Sequence, residues 1–317
     1  MPATAYFTHP DCRKHEMGPG HPECPERLDA IEDWLLTTGV GDALDRREAP
    51  LASLGDLELG HDRMMIAAIR GLGDQLADDV EAGGPRYAQL DPDTAMNVHT
   101  WNAVLRGAGA VLAATDAVMA GEIENAFCAV RPPGHHACHD RAMGFCFFNN
   151  VAIAAKYALE RHGLKRVAII DFDVHHGNGT EDIIRGDERI LMASFFQHPF
   201  YPHSGTEGRA QNMVNIPVPA YTKGAVVREL IESLWIPRLE EFRPEMIFIS
   251  AGFDAHRDDD LGQLGLVEQD YAWITQRIKD VAKRHAHGRI VSSLEGGYNL
   301  SALARSVEAH IRVLADL

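Results

Sequence analysis

Apolar residues fall along this chain in two periods. Short apolar, β-branched runs at 126–130, 166–170, 190–194, 246–250 and 289–294 predict strands, and their nearly unbroken apolar character predicts burial on both faces. Between them, apolar positions recur at spacings of three and four, as one face of a helix requires. In 150–161 that face is Val151, Ala154, Ala155 and Ala158; 24–37 carries a proline near its first turn; 269–285 places Ile274, Ile278 and Val281 on one side. Strands alternating with helices predict an α/β fold, a mainly parallel multi-stranded sheet flanked by helices. No repeat, low-complexity tract or long Pro/Gly linker interrupts the pattern, so 1–317 reads as a single domain.

Composition narrows the picture. No apolar run approaches the ~20 residues of a membrane-spanning helix, and the first residues lack a secretory signal, so a cytoplasmic protein without a membrane partner is expected. The net charge of −16 disfavours nucleic acid, whose binding depends on Lys and Arg meeting phosphates, and suits a cationic partner. Five cysteines without a CxxC pair argue against a disulfide framework and a thiolate zinc site. Size and charge leave a homo-oligomer open.

Polar clusters follow the strands, at the carboxyl ends where open parallel sheets bind ligands. After the first comes Arg131-Pro132-Pro133-Gly134-His135-His136, in which prolines and glycine stiffen the backbone before two imidazoles. Such a pair suits acid–base chemistry or a structural role equally. The second run leads into Asp171, Asp173 and His175, two apart and therefore on one strand face. Carboxylate oxygen and imidazole nitrogen are zinc ligands, and a catalytic zinc keeps three ligands and one open position; the alternative is a strand-end cap. Asp254, just beyond Gly252, offers a third ligand or an ordinary turn residue, and Tyr298, after Gly296-Gly297, an oxyanion donor or a packed aromatic. Together the clusters point to a hydrolytic site at the C-terminal strand ends.

These residues resemble the zinc-dependent histone deacetylase family, including its bacterial class II-like amidohydrolases. The resemblance runs in order through Gly20-His21-Pro22-Glu23-Cys24-Pro25-Glu26-Arg27-Leu28, 131–137, 144–150, 171–179, 251–254 and 295–299. It implies the arginase/deacetylase fold and hydrolysis of acetyl-lysine-type amides to an amine and acetate. It makes Asp173, His175 and Asp254 the zinc ligands, His136 the general base and Tyr298 the oxyanion donor. His135 becomes the partner group bonded to Asp171, and Asn178 faces His136. Phe145 and Tyr201 resemble the aromatic pair of the acyl-lysine tunnel, with Gly144, Gly296 and Leu261 in the substrate-binding set. Asp171, Asp173, His175, Ser194 and Phe195 resemble a potassium site.

Two departures stand out. Asn178 replaces the aspartate of class I members, so His136 should be the milder base of a class II type. Asp258-Asp259-Asp260-Leu261-Gly262 stands where many class II members have Gly-Asp-Pro before Leu-Gly. Leu261 also occupies the position where relatives that prefer acetylated polyamines carry glutamate, which favours acyl-lysine over acetylpolyamines or other small amides. A binuclear manganese ureohydrolase is the rival enzyme, since Asp254-Ala255-His256-Arg257-Asp258 matches its motif, but Asp173-Val174-His175-His176-Gly177 lacks the further carboxylate. A non-catalytic acyl-binding protein is the remaining alternative.

Overall fold

The computed structural model describes residues 3–206 and 210–317. The strands are β1 (Ala3–Thr8), β2 (Asp45–Glu48), a small β3 (Ala88–Asp91) and β4 (Thr94–Met96) hairpin, β5 (Ile123–Cys128), β6 (Val167–Asp171), β7 (Ile190–Gln197), β8 (Met213–Val218), β9 (Met246–Ala251) and β10 (Ile290–Leu294). Eight of them form one sheet in the order β2-β1-β5-β10-β9-β6-β7-β8, and every neighbouring pair is parallel. The expected α/β fold with a parallel sheet is the one observed.

Strand order is what builds the site. The chain crosses from β5 to β6 without pairing them, runs outward through β7 and β8, then returns to insert β9 and β10 into the gap. The ends of β5, β10, β9 and β6 therefore lie side by side, with Leu294 level with Ala251 and Asp171 level with Ser250. The polar segments after these four strands emerge along one edge. Strands β6, β7, β9 and β10 are buried at every position, which explains their unbroken apolar runs.

Helices Thr100–Met119 and Asn150–Arg161 pack on one another and on β5 and β6; a second group, Glu26–Thr37, Glu268–His285 and Leu300–Leu314, packs together and reaches β5 and β9. Asn149 and Asn299 cap two of these helices, accepting from the N–H of Ala152 and Ala302 at 3.0 Å each. The expected helices agree with three of these to within two residues. None of the helices among the described residues is long and apolar enough to cross a membrane.

Candidate active site

The loop after β5 is held from beneath. Arg131 is fully buried, and its guanidinium meets the Glu23 carboxylate at 2.7 Å and the carbonyls of Cys12 and His15 at 2.8 and 3.1 Å. Burial opposes ionisation of Glu23, but Arg131, His15 and Arg27 hold it well below the usual carboxylate range. Arg27 bonds the same carboxylate at 3.0 Å, donates to the Gly297 carbonyl at 2.7 Å and lies 4.9 Å from the Tyr298 ring centroid. The 20–28 segment thus braces the loops after both β5 and β10. Glu295 ties those loops together, accepting from the N–H groups of Gly134 (2.7 Å) and His135 (3.1 Å) and from Ser250 Oγ (3.1 Å).

The two histidines stand 4.0 Å apart, ring to ring, in different surroundings. His135 Nδ1 lies 3.0 Å from Asp171 Oδ2; His136 Nδ1 lies 2.7 Å from Asn178 Oδ1. Asn178 Nδ2 donates to Cys138 Sγ and Met143 Sδ, each at 3.4 Å, which sets the amide with its oxygen toward His136. An amide oxygen only accepts, so His136 carries its proton on Nδ1 and keeps a lone pair on Nε2. Burial, His135 and His175 push His136 well below the usual imidazole value. Burial also opposes charge on His135, yet Asp173 and Asp171 outweigh it and raise His135 well above that value. Their surroundings push the two imidazoles in opposite directions, a split familiar in acid–base sites.

Asp173, His175 and Asp254 converge, with one ligating atom from each inside 4.8 Å of the others. His175 Nδ1 is 3.0 Å from Asp173 Oδ1 and 3.3 Å from Asp254 Oδ2. The second oxygens are occupied: Asp254 Oδ1 accepts from Val174 N at 2.8 Å and Asp173 Oδ2 from Gly296 N at 2.9 Å. Asp254 Oδ2 is buried with only the long His175 contact and no well-formed hydrogen bond, which leaves it acceptor capacity that a bound cation would use. Burial and the Asp173 charge push Asp254 up to about 7, while Asp173 and Asp254 overcome burial to raise His175 to about 10. Both directions report excess negative charge that a bound cation would neutralise. The donor set, two carboxylates and one imidazole, fits zinc.

The backbone comes too close here for any side chain larger than glycine. A Cβ at Gly252 would lie 2.1 Å from Asp173 Oδ2, and one at Gly296 would lie 2.0 Å from Asp254 Oδ2. Gly296 thus lies against Asp254 and Asp173 and does not line the pocket above them, where the substrate-binding expectation put it. Asp171 and Ser194 are level on β6 and β7; Ser194 Oγ donates to Asn215 Oδ1 at 3.2 Å, and the Phe195 ring stacks on Trp235. His256 and Asp258 do not join the cluster: His256 Nδ1 accepts from Asp258 N at 3.1 Å, its Nε2 is 3.5 Å from Glu268, and Asp258 is exposed.

Above the ligands opens a pocket of about 300 Å³. Its wall includes the expected His136, Gly144, Phe145, His175, Tyr201, Leu261 and Tyr298. Gly144 and Phe145 both have left-handed backbone (φ 58° and 67°), and a Cβ on Gly144 would lie 2.5 Å from the His136 ring. Phe145 is held there by its N–H to Thr94 Oγ1 at 2.9 Å and packs edge-on to Tyr298. Tyr201 packs edge-on to His136 at 5.3 Å, while Phe200 lies flat on His175 at 5.4 Å. Phe200, Asp93 and Asp260 also line the pocket; Phe200 adjoins Tyr201 and Asp260 adjoins Leu261 in the chain, whereas nothing in the sequence points to Asp93. Burial raises the Tyr298 hydroxyl well above its usual value against the pull of Arg27, so it stays protonated and able to donate.

Comparison with known proteins agrees with this geometry. The profile of the Histone deacetylase domain matches residues 21–314. A histone deacetylase-like amidohydrolase of Pseudomonas aeruginosa is 36% identical over 93% of this chain and 82% of its own length. A probable deacetylase of Archaeoglobus fulgidus is 36% identical over 94% of this chain and 82% of its own. The crystal structure of the HDA15 HD domain superposes with a TM-score of 0.88 at 32% identity, covering 99% of this chain and 89% of that one. The chain belongs to the histone deacetylase family.

Proposed function

We propose that the chain is a zinc-dependent deacylase, a single catalytic domain over 1–317 that hydrolyses acetyl-lysine-type amides to a free amine and acetate. The observation that carries this reading is the convergence of Asp173, His175 and Asp254, with His175 on the wall of a pocket that His136 and Tyr298 also line. Asp173, His175 and Asp254 would hold the zinc. When bound, zinc supplies Lewis acidity toward the amide carbonyl and lowers the pKa of a ligated water toward ~7.

The remaining chemistry belongs to the side chains. His136 Nε2 takes the water's proton and delivers it to the leaving nitrogen, with Asn178 fixing its tautomer. His135, oriented by Asp171, is the partner group that offsets the negative charge that develops. The Tyr298 hydroxyl donates to the oxyanion. Phe145, Phe200 and Tyr201 make an aromatic wall suited to the methylenes of a lysine-like chain. Asp171, Asp173, His175, Ser194 and Phe195 are proposed to hold a potassium ion beside the zinc.

Leu261 on the wall supports an acyl-lysine substrate. Asp93 and Asp260 on the same wall support a second reading, an acetylated polyamine whose distal ammonium meets them. The test is metal analysis together with a panel of acetyl-lysine peptides, longer acyl-lysines, acetylpolyamines and simple amides, on the native chain, His136→Ala and Tyr298→Phe. One zinc per chain and turnover abolished or strongly reduced in both variants is expected. Two manganese ions per chain, full zinc loading with no turnover, or near-normal rates in both variants would each overturn the reading.

A further inference from the structure

The segment 258–262 reaches the pocket through Asp260 and Leu261, yet the residue before them turns inward. Asp259 is buried to 6% exposure, whereas Asp258 and Asp260 are exposed. Its carboxylate accepts three hydrogen bonds, all from backbone. Oδ1 takes the N–H of Leu261 at 3.0 Å; Oδ2 takes those of Tyr298 at 2.6 Å and Asn299 at 2.9 Å. Its own N–H donates to the His256 carbonyl at 3.0 Å, which fixes the loop that presents it. One side chain therefore holds two pocket residues that arrive on different strands, Leu261 after β9 and Tyr298 after β10.

Tyr298 needs such an anchor. It follows Gly296-Gly297, and Gly297 sits at φ 118°, a conformation open to glycine and little else. Two adjacent glycines do not by themselves fix where a side chain points. The ring has lateral contacts with Arg27 and Phe145, but the peptide N–H groups of Tyr298 and Asn299 are held by Asp259.

We propose that Asp259 is a positioning residue that locks the substrate-facing rim at Leu261 and the Tyr298 hydroxyl into one register. This rests on the reading of Tyr298 as the oxyanion donor. Asp259 touches no reacting atom; it acts through the tyrosine.

The two carboxylate oxygens carry different loads, and that makes the idea testable. Asparagine at this position keeps one acceptor oxygen, which saves more bonds by serving Tyr298 and Asn299, while its amide N–H₂ faces the Leu261 N–H, donor against donor. Alanine removes every anchor. The experiment measures kcat, KM and Tm for Asp259→Asn, Asp259→Ala and Tyr298→Phe, and for each Asp259 variant combined with Tyr298→Phe. Asp259→Asn is expected to lose no more than about 3-fold in kcat while KM rises, and Asp259→Ala to lose about 10- to 100-fold in kcat, the range a misplaced group of this kind commands. In the Tyr298→Phe background the alanine change should cost less than about 3-fold more, because no hydroxyl remains to position.

Equal alanine losses in both backgrounds, or an Asp259→Asn variant as slow as Asp259→Ala, would overturn the proposal. Should Asp259→Ala fail to fold, the asparagine pair decides: raised KM with kcat retained supports it, and a kcat loss that persists in combination with Tyr298→Phe overturns it. A Tyr298→Phe variant with unchanged kcat removes the oxyanion reading itself, and the coupling with it. An impaired Tyr298→Phe that is additive with Asp259→Ala removes the coupling alone.

Discussion

Replacing Asn178 by aspartate changes one atom type at the contact that sets the candidate base. The amide oxygen lies 2.7 Å from His136 Nδ1 and brings no net charge. A carboxylate there would face a protonated ring with charge centres roughly 4 Å apart, an attraction of about 4 kcal/mol at an effective dielectric near 20. Burying the new carboxylate beside Cys138 and Met143 cancels a large part of this, since the thiol is a poor donor and the thioether is no donor at all. Contacting pairs of opposite charge typically move a titration by about 1 to 3 pH, so a shift of about 1 to 2 is expected here. Attraction favours the protonated imidazole, and a base works only when unprotonated. The acidic limb of the kcat/KM profile should therefore move to higher pH by about 1 to 2, with rates falling about tenfold or more on that limb and little changed above it. The assay is that profile on an acetyl-lysine peptide between pH 5 and 9, with zinc content checked across the range. An acidic limb that stays put in a folded, zinc-loaded Asn178→Asp variant would refute the assignment of His136 as the base.

Three further outcomes follow from contacts described above. Glu23→Gln leaves Arg131 and Arg27 buried without their counter-charge and should lose about 3–5 kcal/mol in denaturant melts. Because the Glu23 carboxyl is held below its unfolded value, its contribution is present above the unfolded pKa and fades as pH falls through the folded one; the native chain should lose this increment in acid and the glutamine variant should not. Gly296→Ala drives a Cβ to 2.0 Å from Asp254 Oδ2, so metal analysis should find zinc occupancy strongly reduced. Chelation of zinc should lower Tm and abolish turnover, and zinc added back should restore both, since the metal binds only the folded chain.

The middle of the sheet was readable because fully buried parallel strands announce themselves as apolar runs. Its margins were not. β2 is Asp-Arg-Arg-Glu, with no apolar residue, and β8 contains Pro217, which is tolerated there because β8 is an outer strand. Helices 63–81, 100–119, 224–242 and 300–314 went unassigned, although Leu303, Val307, Ile311 and Leu314 spell a helical face. At the site, the alternation of Asp171, Asp173 and His175 was legible because strand geometry is local. Contacts that depend on distant partners were not: Glu23 lies 108 residues from Arg131, and Asp259 lies 39 from Tyr298. Nothing in the spacing around Gly296 distinguishes a residue that lines a pocket from one that touches the ligands. That difference lies in how closely two strand ends approach.

The late return of β9 and β10 into the centre of the sheet bears on how the protein is made. During synthesis the first 245 residues emerge with β5 and β6 already complete and the slot between them unfilled. Until residue 294 has cleared the ribosome, both flanking strands present unpaired N–H and C=O edges lined with apolar side chains, the surfaces on which chains stick to one another. From the end of β6 at Asp171 to the end of β10 at Leu294 is 123 residues, so at the synthesis rates typical of cells, about 5–20 residues per second, the interval lasts about 6 to 25 seconds. Nascent chains halted within it should be the ones that recruit chaperones, whereas the arrival of β10 closes the sheet and sets Asp254 and Tyr298 in place together.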